Sequence, residues 1–208
     1  MAISKAISKQ LSENNVESDE TYTPEYVVDF LDKHICHLKK THTIWCPFSN
    51  NPNHAFVKRL KELGYKVIWN ENNNDFFAYD KDDIKELKVD AIIDNPPFSI
   101  KDQVLAQSFA LGLQFIYILP LDSLGGAYRN ELYRKHNANM QALIPDTRIW
   151  YKTRNSHNRK SSSFHSFFLS NGLFTKDLIF DTIKSYEDDT RFDNFKTREI
   201  SIFDIGEK

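Results

Sequence analysis

Glycine is scarce in this chain, 6 of 208 residues, and cysteine scarcer still, with only Cys36 and Cys46. Two cysteines build no disulfide framework, and no Cys/His spacing resembles a zinc site. No window approaches the roughly 18 consecutive apolar residues of a membrane span. The stretch from Met1 to Glu20 has no apolar run of the signal-peptide kind, so a reducing cytoplasm is the expected location. No internal repeat is visible. A small secreted domain, a membrane protein and a zinc module are all excluded on these grounds. Apolar material is plentiful: hydrophobic residues make up 40% and aromatics 13%, with 16 Phe and 9 Tyr. That is too apolar for a disordered chain, and enough for one compact domain with a core.

Neither sign of charge dominates. Lys and Arg number 27 against 29 Asp and Glu, a formal net charge of -2, so no global basic field draws the chain to nucleic acid. The charge is unevenly placed, however. Between Thr147 and Lys176 there is no acidic residue, while Arg148, Lys152, Arg154, Arg159, Lys160 and Lys176 all fall there. Acids return beyond it, from Asp177 onward. A local basic segment is either one phosphate-contacting face or a solvated loop.

Organisation follows from periodicity. Residues 1–20 are polar and read as a loose arm, 21–175 as one domain, and 176–208 as an acidic C-terminal extension. Thr23 is placed to cap a helix opened by Pro24, with Val27, Phe30, Leu31 and Ile35 on one face. Short apolar strands are expected at Thr43–Cys46, Lys66–Trp69, Val89–Asp94 and Phe115–Leu119. Helices fall between them, one carrying Phe56, Val57, Leu60 and Leu63 up to Gly64, another Ile100, Val104, Leu105 and Phe109. Strands alternating with helices predict a largely parallel, doubly wound α/β sheet, with the aromatic run Phe164–Leu169 as an antiparallel edge. Such sheets bind ligands beyond the carboxyl ends of their strands, which directs attention to the loops after Cys46, Trp69, Asp94 and Leu119.

One of those loops is chemically distinctive. The strand ending at Asp94 runs into Asn95-Pro96-Pro97-Phe98. Consecutive prolines end a strand and keep Asn95 out of the helical region, giving a stiff turn. It presents a carboxamide, backbone carbonyls and an aromatic ring. Two acceptors aimed at one point suit the two hydrogens of an exocyclic amine, and Phe98 offers a face for a flat base. An ordinary rigid turn is the alternative.

Asn95-Pro96-Pro97-Phe98 resembles the catalytic motif of the S-adenosylmethionine-dependent amino-methyltransferases that modify N6 of adenine. Tyr22-Thr23-Pro24 is similar to the family's N-terminal motif, and Trp45-Cys46-Pro47-Phe48, Phe56-Val57 and Asp75-Phe76-Phe77 extend the likeness to the phage-type, Dam-like members. The likeness spans about residues 21–170. It implies a Rossmann-like, mostly parallel sheet of the class I methyltransferase type, a bacterial or phage-infected host, and DNA (or RNA) as partner, without metal. It also implies a cofactor site formed by Tyr22, Thr23, Pro24, Pro47, Phe48, Asn50, Glu71, Asp75 and Phe76. Within it Glu71, or Asn70 as the lesser alternative, would accept from the ribose and Asp75 and Phe76 would hold the adenine. Glu71 as an exposed loop acid and Phe76 as a core residue are the plain alternatives. The chain departs from the family pattern after Cys46, where Pro47–Pro52 contains neither glycine nor a carboxylate.

In that reading Asn95, Pro96, Pro97 and Phe98 are catalytic, and Asn95 Oδ1 and the Pro96 carbonyl orient the amine. A base flipped from the duplex would stack on Phe98, with Trp150, Tyr151 or the Phe164–Phe168 stretch as further walls or simply as core. Arg148, Lys152, Arg154, Arg159 and Lys160 become the strand-contacting cations, aided by Asn155, Ser156, Asn158 and Ser161–Ser163. Gly125-Gly126 stands as a second loop or a turn, and His165 and Cys46 as structural residues. Other acceptors, an RNA adenine or a protein glutamine, fit the same turn. A silent nucleic-acid-binding module is the remaining alternative.

Overall fold

The computed structural model describes residues 21–153, 160–161 and 164–183; the expected arm at 1–20 and residues 184–208 lie outside the described residues. The strands are β1 (Thr21–Tyr22), β2 (Thr43–Cys46), β3 (Lys66–Trp69), β4 (Ala91–Asp94), β5 (Gln114–Pro120), β6 (Met140–Pro145), β7 (Trp150–Thr153), β8 (Lys160–Ser161), β9 (Ser166–Asn171) and β10 (Leu178–Asp181). The helices are α1 (Glu25–Asp32), α2 (Ala55–Glu62), α3 (Lys81–Leu87), α4 (Lys101–Leu111) and α5 (Ala127–Lys135). None of the described helices is long and apolar enough to cross a membrane.

Seven strands form the main sheet in the order β10-β6-β9-β5-β4-β2-β3, and every neighbouring pair is parallel except those made by β9. The Rossmann-like, doubly wound α/β architecture expected from the alternation is the one observed. Its cause is visible along each strand. Ile44, Cys46, Ala91, Ile93, Ile116 and Ile118 face one side, where α1 and α2 bury Val27, Leu31, Val57 and Leu60. Trp45, Ile92, Phe115, Tyr117 and Leu119 face the other, against Val104, Leu105 and Phe109 of α4 and Leu132 of α5. Each buried Val, Leu, Ile or Phe among them contributes roughly 1.5–3 kcal/mol of transfer free energy, so neither face is dispensable. Gly64 and Gly112 end α2 and α4 at φ +91° and +75°, a backbone region that side chains with a Cβ rarely enter.

Three expectations need correction. Phe164–Leu169 is not an edge: β9 is antiparallel but sits inside the sheet between β5 and β6, with Phe167, Phe168 and Leu169 all buried. Burial on both faces explains its unbroken aromatic character. The boundary at 175 falls too early, because Leu178-Ile179-Phe180-Asp181 pairs with β6 as the last strand. Finally, Pro24 itself occupies the cap position of α1 with no side-chain cap, and Val27 N–H bonds the Pro24 carbonyl at 3.1 Å. The Thr23 hydroxyl is engaged elsewhere.

A second, three-stranded sheet has the order β1-β7-β8, all antiparallel. It pairs the segment leading into α1 with Lys152–Thr153, and Thr23 next to it meets Asn95 at the carboxyl end of β4.

Candidate active site

The ladder between β2 and β4 pairs Ile44 with Ala91 and Trp45 with Ile92, and goes no further. From there the chain leaves β2 toward β3 on one side and leaves β4 toward β5 on the other. Strands that part in opposite directions open a crevice at their carboxyl ends, the switch point where such sheets bind ligands.

Asn95 stands at the mouth of that crevice. Pro96 behind it is buried, and the two prolines force the chain out of β4 before Phe98–Ile100 makes one 3-10 turn into α4. The Asn95 carboxamide donates from Nδ2 to the Thr23 hydroxyl at 3.3 Å. Its Oδ1 is buried and has no hydrogen-bond partner; among the described residues only the Tyr133 hydroxyl shares that condition. A buried acceptor left unsatisfied costs on the order of 1–3 kcal/mol, so Asn95 Oδ1 stands open to a donor. Phe98 is half-buried and meets the ring of Phe164 edge to face, centroids 5.3 Å apart at 83°. Tyr22-Thr23, the Asn-Pro-Pro-Phe turn and Phe164 are thus brought together from three distant parts of the chain.

The carboxylate beneath the turn was not identified from the sequence. Asp94 is 2% exposed. Its Oδ2 accepts from Phe48 N–H at 2.7 Å, and its Oδ1 from the Ser49 hydroxyl and Asn95 N–H, both at 2.9 Å. Burial pushes its carboxyl up to about 6, against the opposing pull of the hydrogen bonds from Asn95, Phe48 and Ser49. The available signal was an acid closing the apolar strand Ala91-Ile92-Ile93, since a charge in a buried strand requires partners.

Burial and the nearby Asp94 hold the Cys46 thiol well above its ordinary range, and its Sγ donates to the Ile93 carbonyl at 3.2 Å. His165 Nε2 lies 2.7 Å from the Pro145 carbonyl, while its own carbonyl accepts from Leu121 N–H. Both are structural.

The loop after β2 is closely tied. Pro47 is buried and Phe48 half-buried, its ring 5.0 Å from Phe76; Ser49 is 3% exposed and Asn50 exposed. Phe48 N–H is spent on Asp94, Ser49 N–H on the Cys46 carbonyl, and the Ser49 carbonyl accepts from Asn70 N–H at 3.0 Å. After β3, Asn70 closes its own loop by accepting from Asn74 N–H and donating to the Asn74 carbonyl. Glu71 is exposed. Asp75 caps the short 3-10 turn Phe76–Ala78 through Phe77 N–H at 3.0 Å. Phe76, 4% exposed, packs on Trp45 and Phe48 in the core, and half-buried Phe77 borders it.

The basic segment forms part of the small sheet. Tyr22 lies opposite Lys152, and Tyr151 opposite Lys160. Arg148 is exposed; Arg154 and Arg159, with Asn155, Ser156, Asn158, Ser162 and Ser163, lie outside the described residues. Tyr151 is core, its hydroxyl donating to Ser166 at 2.9 Å. Gly125-Gly126 forms a turn held by Arg129, which donates to the Gly125 carbonyl and, at 2.6 Å, to Asp102 of α4.

The fold and site together define a Rossmann-like α/β protein with a carboxamide-bearing turn at its switch point. No family model matches the chain, and no curated protein matches it. Among solved structures it is similar to a candidate class I S-adenosylmethionine-dependent methyltransferase from Listeria monocytogenes, with TM-score 0.49 and 13% identity over 93% of this chain and 76% of that one. It is also similar to a precorrin-6y C5,15-methyltransferase from Geobacter metallireducens, with TM-score 0.39 and 11% identity over 74% of this chain and 96% of that one.

Proposed function

We propose that the chain is an S-adenosylmethionine-dependent methyltransferase whose acceptor is the N6 amine of an adenine flipped from DNA. The observation that carries this reading is Asn95: its Nδ2 is bound to Thr23 while its buried Oδ1 has no partner. An exocyclic amine supplies the missing donor. Accepting its hydrogens at Asn95 Oδ1 and the Pro96 carbonyl draws the nitrogen lone pair out of ring conjugation and fixes its direction. The same acceptors stabilise positive charge developing on nitrogen, so a neutral carboxamide suffices and no strong base is required. Phe98, braced by Phe164, supplies an aromatic wall for the extruded base.

The donor set at the crevice fits the cofactor. Glu71 and Asp75 offer carboxylate oxygens for ribose hydroxyls and an exocyclic amine, and Phe48 offers a half-buried aromatic surface. Tyr22-Thr23-Pro24, held beside the turn by the Thr23 contact to Asn95, would hold the methionine part. With both leading amides of the Pro47–Asn50 loop already committed, the contacts from this loop come from Phe48 and Asn50 side chains. When bound, the cofactor supplies the activated methyl group. The run of cations without an acid between Thr147 and Lys176 supports nucleic acid as the acceptor's carrier.

Transfer of label from S-adenosylmethionine to unmethylated DNA, compared between wild type and Asn95→Ala, tests the reading. Methyladenine in the wild-type digest and a loss of about 100-fold or more in the variant are expected. Cofactor binding without transfer to DNA would redirect the acceptor to RNA or protein. Absence of cofactor binding would sink the enzyme reading.

A further inference from the structure

Loop and turn flank the crevice from opposite strands, and the β2–β4 ladder ends before reaching either. Among the described residues, one side chain hydrogen-bonds to both. The two oxygens of Asp94 are shared between Phe48 and Ser49 on the loop and Asn95 on the turn. We infer that Asp94 is a positioning residue that couples the loop Pro47–Asn50 to the turn Asn95–Phe98, so that seating the cofactor and aiming the Asn95 acceptor occur as one event. This rests on the methyltransferase reading and explains a feature that reading leaves open. A loop without glycine or its own carboxylate takes its shape from a carboxylate borrowed from the next strand.

The geometry favours coupling over two independent bonds. Asp94 Oδ1 is held by Ser49 and Asn95 at the same distance, 2.9 Å each, so a shift of the loop that displaces the carboxylate must lengthen the bond to Asn95 N–H. The Ser49 carbonyl accepts from Asn70 N–H at 3.0 Å, so the same residue is tied to the segment after β3 through its backbone and to Asp94 through its hydroxyl. Burial leaves no water to replace a lost bond. The other titratable side chains set against Asp94 are Cys46 on β2 and Tyr117 on β5, both pushed to higher pH by burial, so neither titrates in its range.

Amide NMR on the full chain reads this without requiring turnover. In the ligand-free protein, the Phe48, Ser49 and Asn95 amide resonances should titrate with one shared midpoint, and Asp94→Asn should abolish that titration in all three. Ser49→Ala, which keeps the carboxylate, should raise the midpoint at Phe48 and Asn95 together. Separate midpoints, or a Ser49→Ala shift seen at Phe48 but not at Asn95, would overturn the inference. S-adenosylhomocysteine should then shift the Asn95 amide as well as Phe48. If it binds and moves Phe48 alone, the coupling is wrong while the cofactor reading stands. If it does not bind, the cofactor reading falls, and the shared midpoint describes a structural brace only.

Discussion

Asp94 makes stability depend on pH in an unusual direction. Most native carboxylates bind their proton less tightly when folded, so acid destabilises. Burial reverses this for Asp94, whose carboxyl rises from 3.8 to about 6. The folded state therefore holds this proton to higher pH than the unfolded chain. Its contribution is fully present below 3.8 and is lost as pH rises through about 6. The whole span corresponds to about 3 kcal/mol, and the part falling between about pH 4.5 and about pH 7.5 to about 2 kcal/mol. Asp80 and Asp181, held below the ordinary range, act in the opposite sense and bend the wild-type curve. The difference between wild type and Asp94→Asn cancels them. Urea denaturation at both pH values, with a slope of about 2 kcal/mol/M, should show the wild-type midpoint gaining about 1 M on the variant at the lower pH. Parallel curves for the two proteins would refute the reasoning, since Asp94 would then be as well solvated by its hydrogen bonds as by water.

Replacing Phe98 with Ala should raise KM for DNA about tenfold or more with smaller change in cofactor affinity, because one stacking wall is worth roughly 1–3 kcal/mol; steady-state kinetics in each substrate separate the two. Gly112→Ala, at φ +75°, should cost about 1 kcal/mol in urea denaturation without altering kcat. Phe168→Ala, emptying a fully buried position on β9, should cost about 3–5 kcal/mol, read as loss of a cooperative thermal transition. Arg129→Ala should free the Gly125-Gly126 turn from α4, detected as faster proteolysis within that turn at nearly unchanged global stability.

The alternation of strand and helix was legible because it rests on local pattern: Thr43–Cys46, Lys66–Trp69 and Val89–Asp94 are short apolar runs bounded by polar residues. The turn at Asn95 was legible because two prolines act on their own backbone wherever they stand. What escaped depends on distant partners. Thr23 has the chemistry of a helix cap, but Asn95, seventy-two positions away, engages its hydroxyl first. Leu178–Asp181 alternates too briefly to declare a strand until β6 is beside it. Whether Phe164–Leu169 lay at an edge or inside turned on whether β6 covered its free side, which periodicity does not carry. Asp94 resembles any strand-terminal acid until Phe48, Ser49 and Asn95 are seen to converge on it. Helix α3, which the expected alternation did not include, is the exception: it carries a local signal in the reciprocal Asp80 and Asp83 cap.

Strands β6 and β9 lie side by side, Leu143 opposite Phe168, although some twenty residues separate Pro145 from Ser166. The small sheet's β7 and β8 belong to that excursion, which leaves the main sheet and re-enters it at the adjacent position. Ile149 and Tyr151 anchor its root in the core. The pairing of the main sheet does not pass through this excursion, so a graft between Thr153 and Lys160 should leave the register of every strand in the main sheet in place. A fold arranged this way can lengthen, shorten or replace one excursion while the seven-stranded sheet that carries Asn95 stays as it is.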